Sequence, residues 1–207
     1  MASSRAGARR FDAPSSLANE TSSPLFRSLL DRMDEHRRYE ILDLGAATPS
    51  NIDFFGHYHC RLHIADCLNQ LVALKSGEQV TEAQIRQRVK GMLPPHEDLR
   101  FDVVLAWDVL NYLDKPVLSA LMEDLSTSVD RDTQLHAYVY PRQTMPTRPS
   151  RFRIFPDGAL QIEPGSQELC PSPCYRQPEL EKMMPNLVVQ RSVLLKNGIQ
   201  EYLFRGR

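Results

Sequence analysis

The chain has 207 residues, 42% of them hydrophobic and 25% charged, with a formal net charge of −1. One compact domain of ordinary size fits these numbers, and 9 Gly with 15 Pro in no fixed period exclude collagen-like or repeat architecture. No apolar run approaches the roughly 18 residues of a transmembrane helix, and the near-neutral charge argues against a general clamp on nucleic-acid phosphates.

The first 23 residues read as a flexible arm, rich in Ser, Ala and Arg and without the apolar stretch of a secretory signal. Arg5, Arg9 and Arg10 suggest a mitochondrial transit peptide as a rival reading, against which stand Asp12 and Glu20. Ser23-Pro24 then reads as an N-cap with proline at the first helical position. Leu25, Phe26, Leu29, Leu30 and Met33 follow at helical spacing, predicting a helix to about Arg38. Tyr39 to Leu44 is a short apolar run ending at Gly45, the pattern of a buried parallel strand entering a tight turn. A helix is expected from about Asn51 to Phe55.

From His57 to Ala65 the chain alternates, with Tyr58, Cys60, Leu62 and Ile64 on one face and His57, His59, Arg61 and His63 on the other. This predicts a half-buried strand with Asp66 at its end, followed by a helix over 67–75. Thr81 and Gln84 form a possible capping box for a helix to about Met92. The helical reading covers 88–93, where no clear strand is legible. The second strand is therefore predicted to lie at, or next to, the edge of the sheet.

Phe101 to Trp107 is the clearest central strand. Pro116 opens a helix, Leu135 to Tyr140 is the next strand, and 141–150 is irregular. Arg151–Phe155 and Ala159–Glu163 flank Pro156-Asp157-Gly158 as a hairpin with Phe152, Ile154, Leu160 and Ile162 on one face. Pro178 opens a short helix. Leu187–Leu195 and Ile199–Phe204 flank Asn197-Gly198, a strong hairpin-turn signal. Alternating strands and helices of these lengths imply a doubly wound, mostly parallel α/β sheet that closes with an antiparallel hairpin. The domain runs over 24–207, with a loop and hairpin insertion at 141–163.

In this order and spacing the chain resembles the class I S-adenosylmethionine-dependent methyltransferases over roughly residues 39–205. The stretches that carry the resemblance are Glu40-Ile-Leu-Asp-Leu-Gly45, Leu62-His-Ile-Ala-Asp66, Arg100 to Leu113, and Val193 to Phe204. The resemblance implies a Rossmann-like fold and S-adenosylmethionine as cofactor, bound at the carboxyl ends of the strands. It implies that Asp43, Gly45 and Ala47 meet the methionine end, that Asp66 accepts the ribose hydroxyls, and that Trp107 and Asp108 stand beside cofactor and substrate. The family's turn is Gly-x-Gly-x-Gly; here Gly45-Ala46-Ala47-Thr48-Pro49 keeps only the first glycine. The glycine turn still meets the cofactor if Ala47 keeps negative φ and Pro49 opens the following helix.

Each of these residues also has a plainer reading. Asp43 and Asp66 can be strand-end acids bonded to local amides, and Trp107 can be core. Asn111 and Tyr112 can line a substrate pocket or bond to backbone and pack inward. His57, His59 and His63 share a strand face; His59 and His63 lie about 13 Å apart along a strand, too far for one ion, so no metal site is assigned. Cys60, Cys67, Cys170 and Cys174 do not suggest a disulfide scaffold, and a reducing cytoplasm is the simplest setting. Arg142, Arg148, Arg151 and Arg153 form a basic run that reads as a solvated face, with an anionic partner as the alternative.

The expected function is methyl transfer to a small-molecule acceptor, with no catalytic residue assigned. The rivals are an inactive methyltransferase-fold scaffold that binds a protein partner, and a nicotinamide-dependent oxidoreductase. The last of these wants a fuller Gly-x-Gly-x-x-Gly turn and lacks the closing Asn-Gly hairpin. Neither nucleic acid nor membrane is expected as a partner, and the sequence sets no oligomeric state.

Overall fold

The computed structural model describes residues 20–21, 23–34, 36–74 and 80–207. In chain order the elements are β1 (Glu20–Thr21), α1 (Pro24–Leu30), β2 (Tyr39–Asp43), α2 (Pro49–Phe55), β3 (Cys60–Ile64), α3 (Leu68–Ala73), α4 (Glu82–Val89) and β4 (Val103–Trp107). A short 3-10 turn (Val109–Tyr112) precedes α5 (Lys115–Leu125), and another (Ser126–Ser128) follows it. Then come β5 (Gln134–Val139), β6 (Thr144–Pro146), β7 (Arg151–Ile154), β8 (Leu160–Glu163), β9 (Leu169–Pro171), α6 (Gln177–Met183), β10 (Leu187–Leu194) and β11 (Gln200–Gly206).

Six strands form the main sheet in the order β10-β11-β5-β4-β2-β3. The pairs β2·β3, β2·β4 and β4·β5 are parallel, whereas β11 runs antiparallel between β5 and β10. Strand order reverses at β2: the chain goes first to β3 on one side and then to β4 on the other. That switch point opens a crevice at the carboxyl ends of the strands. Among the described residues nothing pairs with the outer side of β3. The chain at 88–93 is the end of α4 and a turn, so β3 is an edge strand as the alternation and the helical 81–92 segment predicted.

Alternate residues of the central strands feed two cores. Leu42, Val104 and Ala106 face α3–α6. Tyr39, Ile41, Val103, Leu105 and Trp107 face α1, α2 and the β7–β8 hairpin. That hairpin lies within the loop and hairpin segment at 141–163. It pairs Phe152 with Ile162 and Ile154 with Leu160, and it takes on β1 as a third strand. Residues 20–21 of the predicted arm thus belong to a small sheet; residues 1–19 lie outside the described residues, as does the predicted end of the 67–75 helix.

Two element boundaries differ from expectation. The first helix ends at Leu30, not Arg38. Past Met33 there is no apolar side chain left to bury, and Asp34 Oδ1 accepts the His36 amide at 2.8 Å, a local turn that competes with helix. The second strand begins at Cys60, not His57. The His57 ring nitrogen meets the Asp53 carbonyl at 2.7 Å, and Tyr58 packs on Phe54 and Phe55, so residues 57–59 continue the turn that leaves α2.

A fully buried carboxylate joins α1 to the sheet. Glu201 Oε1 on β11 accepts the Ser23 hydroxyl at 2.5 Å, the Phe26 amide at 2.9 Å and His136 Nε2 at 2.9 Å. Ser23 has only one proton and gives it to Glu201, so the Tyr138 hydroxyl donates to Ser23 at 2.5 Å. The helix start is thus capped from across the sheet, by a side chain 175 residues away from the amide it satisfies.

Candidate functional site

The site begins at the end of β2. Asp43 is 2% exposed, and its Oδ1 accepts the Gly45 amide at 2.8 Å and the Trp107 indole N–H at 2.6 Å. Burial pushes its carboxyl up to about 6, against the pull of those two donors. Gly45 does not have positive φ. It is needed for a different reason: a Cβ there would stand 2.6 Å from Trp107 Cδ1 and 2.9 Å from its Nε1. The glycine makes room for the indole that Asp43 holds.

Trp107 occupies that place at a cost. Its φ is +48°, in the left-handed region that bulky residues avoid, and the pairing of β4 with β5 shifts register between Leu105 and Trp107. The ring stacks on Phe152 at 4.7 Å and 18°, and Phe152 stacks on Tyr138 at 5.4 Å and 4°. Asn51, buried on α2, fixes Phe152 in turn: its side chain donates to the Phe152 carbonyl at 3.1 Å and accepts the Ile154 amide at 3.0 Å. A strained, aromatic floor therefore lies under the strand ends, with the β7 strap clamped across it.

Asp108 follows and is 1% exposed. Its Oδ2 accepts the Ser150 amide at 2.9 Å and the Tyr140 hydroxyl at 3.3 Å, while Oδ1 is buried without a partner. Desolvation pushes its carboxyl up to about 6, with the Ser150 bond acting the other way. Burial, and after it the Asp108 carboxyl, raise the Tyr140 hydroxyl well above its ordinary value. Asn111 takes the plainer of its two readings. Its amide donates to the Asp108 and Tyr138 carbonyls at 2.8 Å each and its oxygen accepts the Tyr140 amide at 2.9 Å. Tyr112 donates to the Pro146 carbonyl at 3.1 Å.

Between these groups lies a cavity of about 200 Å³, lined by Gly45, Ala46, Thr48, Asn51, Asp66, Leu68, Asn69, Trp107 to Val109 and Pro149 to Phe152. Five of the six candidate residues adjoin one another here or just behind the wall: Gly45, Asp66, Trp107 and Asp108 in the lining, with Asp43 behind Gly45. Asp66 is exposed at the rim. Ala47 stands apart, exposed on the outer side of the turn, where Ala46 and Thr48 take the lining. Its φ is not positive, and Pro49 opens α2 in the first turn, so the altered glycine turn is reshaped as the sequence allows. Thr48 Oγ1 is a second buried atom without a partner.

Ser150, Phe152, Asn51 and Tyr140 were not legible as site residues. Ser150 and Phe152 come from the irregular segment and hairpin after β5, and nothing local marks an Asn in a helix as a clamp on a strand 101 residues later. The remaining candidates lie elsewhere. His63 is half-buried, with Nε2 2.7 Å from Glu40 Oε2. Among the described residues no group of His, Cys, Asp and Glu could hold a metal ion. The arginines 142, 148, 151 and 153 are exposed; Arg151 lines the cavity. Among the described residues no helix is long and apolar enough to cross a membrane.

No protein-family model matches the chain, and no curated protein matches it. Solved structures similar to it include the Burkholderia thailandensis 1,6-didemethyltoxoflavin-N1-methyltransferase with bound 1,6-didemethyltoxoflavin and S-adenosylhomocysteine, at 15% identity, TM-score 0.47, 89% of this chain and 79% of that one. An S-adenosylmethionine-dependent methyltransferase from Clostridium acetobutylicum is 13% identical with TM-score 0.48, over 87% and 88% of the two chains. The glycopeptide N-methyltransferase MtfA complexed with S-adenosyl-L-methionine is 13% identical with TM-score 0.49, over 97% and 100%. The doubly wound, mostly parallel sheet with its C-terminal antiparallel strand is the Rossmann-like methyltransferase type expected from the sequence, and the chain's own strand order carries that assignment.

Proposed function

We propose that the chain binds S-adenosylmethionine in the strand-end cavity and directs its methyl group to a small-molecule acceptor. The observation that carries this reading is where the cavity lies. It opens at the strand-order switch, with Gly45 of the first turn, Asp66 after β3 and Asp108 after β4 around it. The polar groups fit such a donor: Asp66 has a carboxylate at the rim that can accept two ribose hydroxyls, and Thr48 Oγ1 and Asp108 Oδ1 are buried atoms that lack partners. The bulk does not fit without movement. A cavity of about 200 Å³ is smaller than the roughly 300–1,000 Å³ of small-molecule sites, so a whole donor requires the Pro149–Phe152 strap to swing aside.

The donor supplies a methyl group already activated by its sulfonium charge, so the chain's task is orientation and exclusion of water. Asp66 fixes the ribose. Asp108 would hold an acceptor N–H or O–H at Oδ1 and, with its carboxyl raised toward neutral pH, would take the proton the acceptor gives up when methylated, the donor's C–S bond breaking to leave a neutral thioether. Tyr140 and the Ser150 amide hold the other oxygen of Asp108 in place.

A second reading is favoured by one specific observation. The Trp107–Phe152–Tyr138 stack fills the floor next to Gly45, which suits a fold kept as a protein-binding scaffold. Calorimetry and thermal melting with S-adenosylmethionine, S-adenosylhomocysteine and NAD separate the two. A ligand at a hundred times its Kd adds about 2.7 kcal/mol, a shift of a few degrees at this size. The expected result is such a shift with either methyl-cycle ligand and none with NAD. No shift with either at millimolar concentration leaves the scaffold. In the binding protein, Asp66→Ala should weaken affinity by about 1.5–3 kcal/mol, because hydrogen bonds to a charged group are the strong ones. Unchanged affinity in a folded variant removes Asp66 from the ribose.

A further inference from the structure

A second and larger cavity, of about 650 Å³, lies beyond the Asn51 clamp. Its walls are the outer face of α2 and the carboxyl end of β7, and residues 57–59 form its floor. It is therefore toward the amino-terminal side of β3, away from the strand-end crevice. Two features define its chemistry. Phe54, Tyr58 and Phe155 contribute aromatic surface, with Ile154 beside them. Asp53 on one wall and Arg153 on the other carry opposite charges, yet among the described residues neither side chain has an ion pair or hydrogen bond, with each other or with anything else.

Opposite charges that line one cavity and stay apart are complementary to a ligand that carries both signs. A ligand with one charge would satisfy one wall and present an uncompensated like charge to the other. The guanidinium offers a planar fork matched to a carboxylate, Asp53 accepts an ammonium, and the rings lining the same cavity suit a flat apolar body. The volume lies within the usual range for small-molecule sites and takes a one- or two-ring molecule. We infer that the cavity walled by α2 and β7 binds an aromatic zwitterion of amino-acid type, its carboxylate on Arg153 and its ammonium on Asp53. This site is separate from the methyl-donor cavity and does not rest on that reading.

The test uses the whole chain and three probes of one shape: L-phenylalanine with both charges, 3-phenylpropionate with the carboxylate alone, and phenethylamine with the ammonium alone. Calorimetry should find L-phenylalanine at least about tenfold tighter than either single-charge probe, since each charged hydrogen-bonded contact is worth at least that factor. Arg153→Met should weaken L-phenylalanine by about tenfold and leave phenethylamine unchanged, and Asp53→Asn should do the converse with 3-phenylpropionate. Both positions are exposed, so the variants should melt with the parent protein. Should either fail to fold, the ranking of the three probes on the parent chain still decides. No saturable binding of L-phenylalanine up to about 10 mM overturns the proposal, as does equal affinity for all three probes or indifference to both substitutions.

Discussion

The acid at the end of β2 does not reach into the cavity; it holds an indole. Asp43, Gly45 and Trp107 form one unit in which each residue needs the other two, so Gly45→Ala should destabilise by about 1–3 kcal/mol through overpacking, read as a lower urea midpoint at unchanged slope. The pH response follows from the two buried acids. Asp43 and Asp108 are each raised from 3.8 to about 6, so the folded state holds more protons than the unfolded one between those values. Their contribution to stability is therefore largest at low pH and is lost as pH rises through that window, by at most about 3 kcal/mol each. Asp108→Asn should remove about half of this slope in urea titrations run from pH 4 to 7. An unchanged slope would show that the carboxyl titrates alike in the two states.

At the scale of elements, the β7–β8 hairpin is the part that shapes the site. Its inner residues Phe152, Ile154 and Leu160 are buried as their alternation predicted, but its position over the strand ends depends on Asn51 and Asp108. Asn51→Ala leaves the Phe152 carbonyl and the Ile154 amide without partners, at about 1–3 kcal/mol for each group that stays buried. The expected outcome is faster hydrogen exchange at Ile154 with little change at β4 and β5, since the strap would open locally while the central strands stay paired. Uniform acceleration across the sheet would instead mean that the hairpin and sheet unfold together. The edge strand β3 carries an exposed Arg61 and a half-buried His63, held by Glu40, which discourage pairing with another chain.

Across the whole molecule, Glu201 ties α1 to the sheet. Burial acts to raise its carboxyl but is outweighed by His136, Ser23 and the Phe26 amide, so it is held below the ordinary range. Its stabilising contribution is present at neutral pH and is lost as pH falls through its folded value, opposite in sign to that of Asp43 and Asp108. Glu201→Leu leaves His136 and the start of α1 without their acceptor and should cost about 3–5 kcal/mol. Circular dichroism melts check this, with loss of α1 docking reported by the fluorescence of Trp107, which packs on Phe26 at 5.6 Å.

The sequence by itself determined the strand and helix order, the edge position of β3, the capping box at Thr81, the closing hairpin and the inner face of the inserted one. These follow from local patterns: period-two and period-3.6 burial, proline at helix starts, Asn-Gly at a turn. A family resemblance, rather than any local pattern, marked Asp43, Gly45, Ala47, Asp66, Trp107 and Asp108, of which all but Ala47 stand at the strand-end cavity or just behind it. Only the tertiary structure decided what those residues touch. The Trp107 ring lies against Gly45 because Asp43 holds it and Phe152 stacks on it, and Phe152 is there because Asn51 clamps β7. Each of these contacts joins residues about 45 to 101 positions apart, and no short-range pattern encodes a partner at that separation. The same reason hid the opposite charges of Asp53 and Arg153, which only the packing of α2 against β7 brings to one cavity.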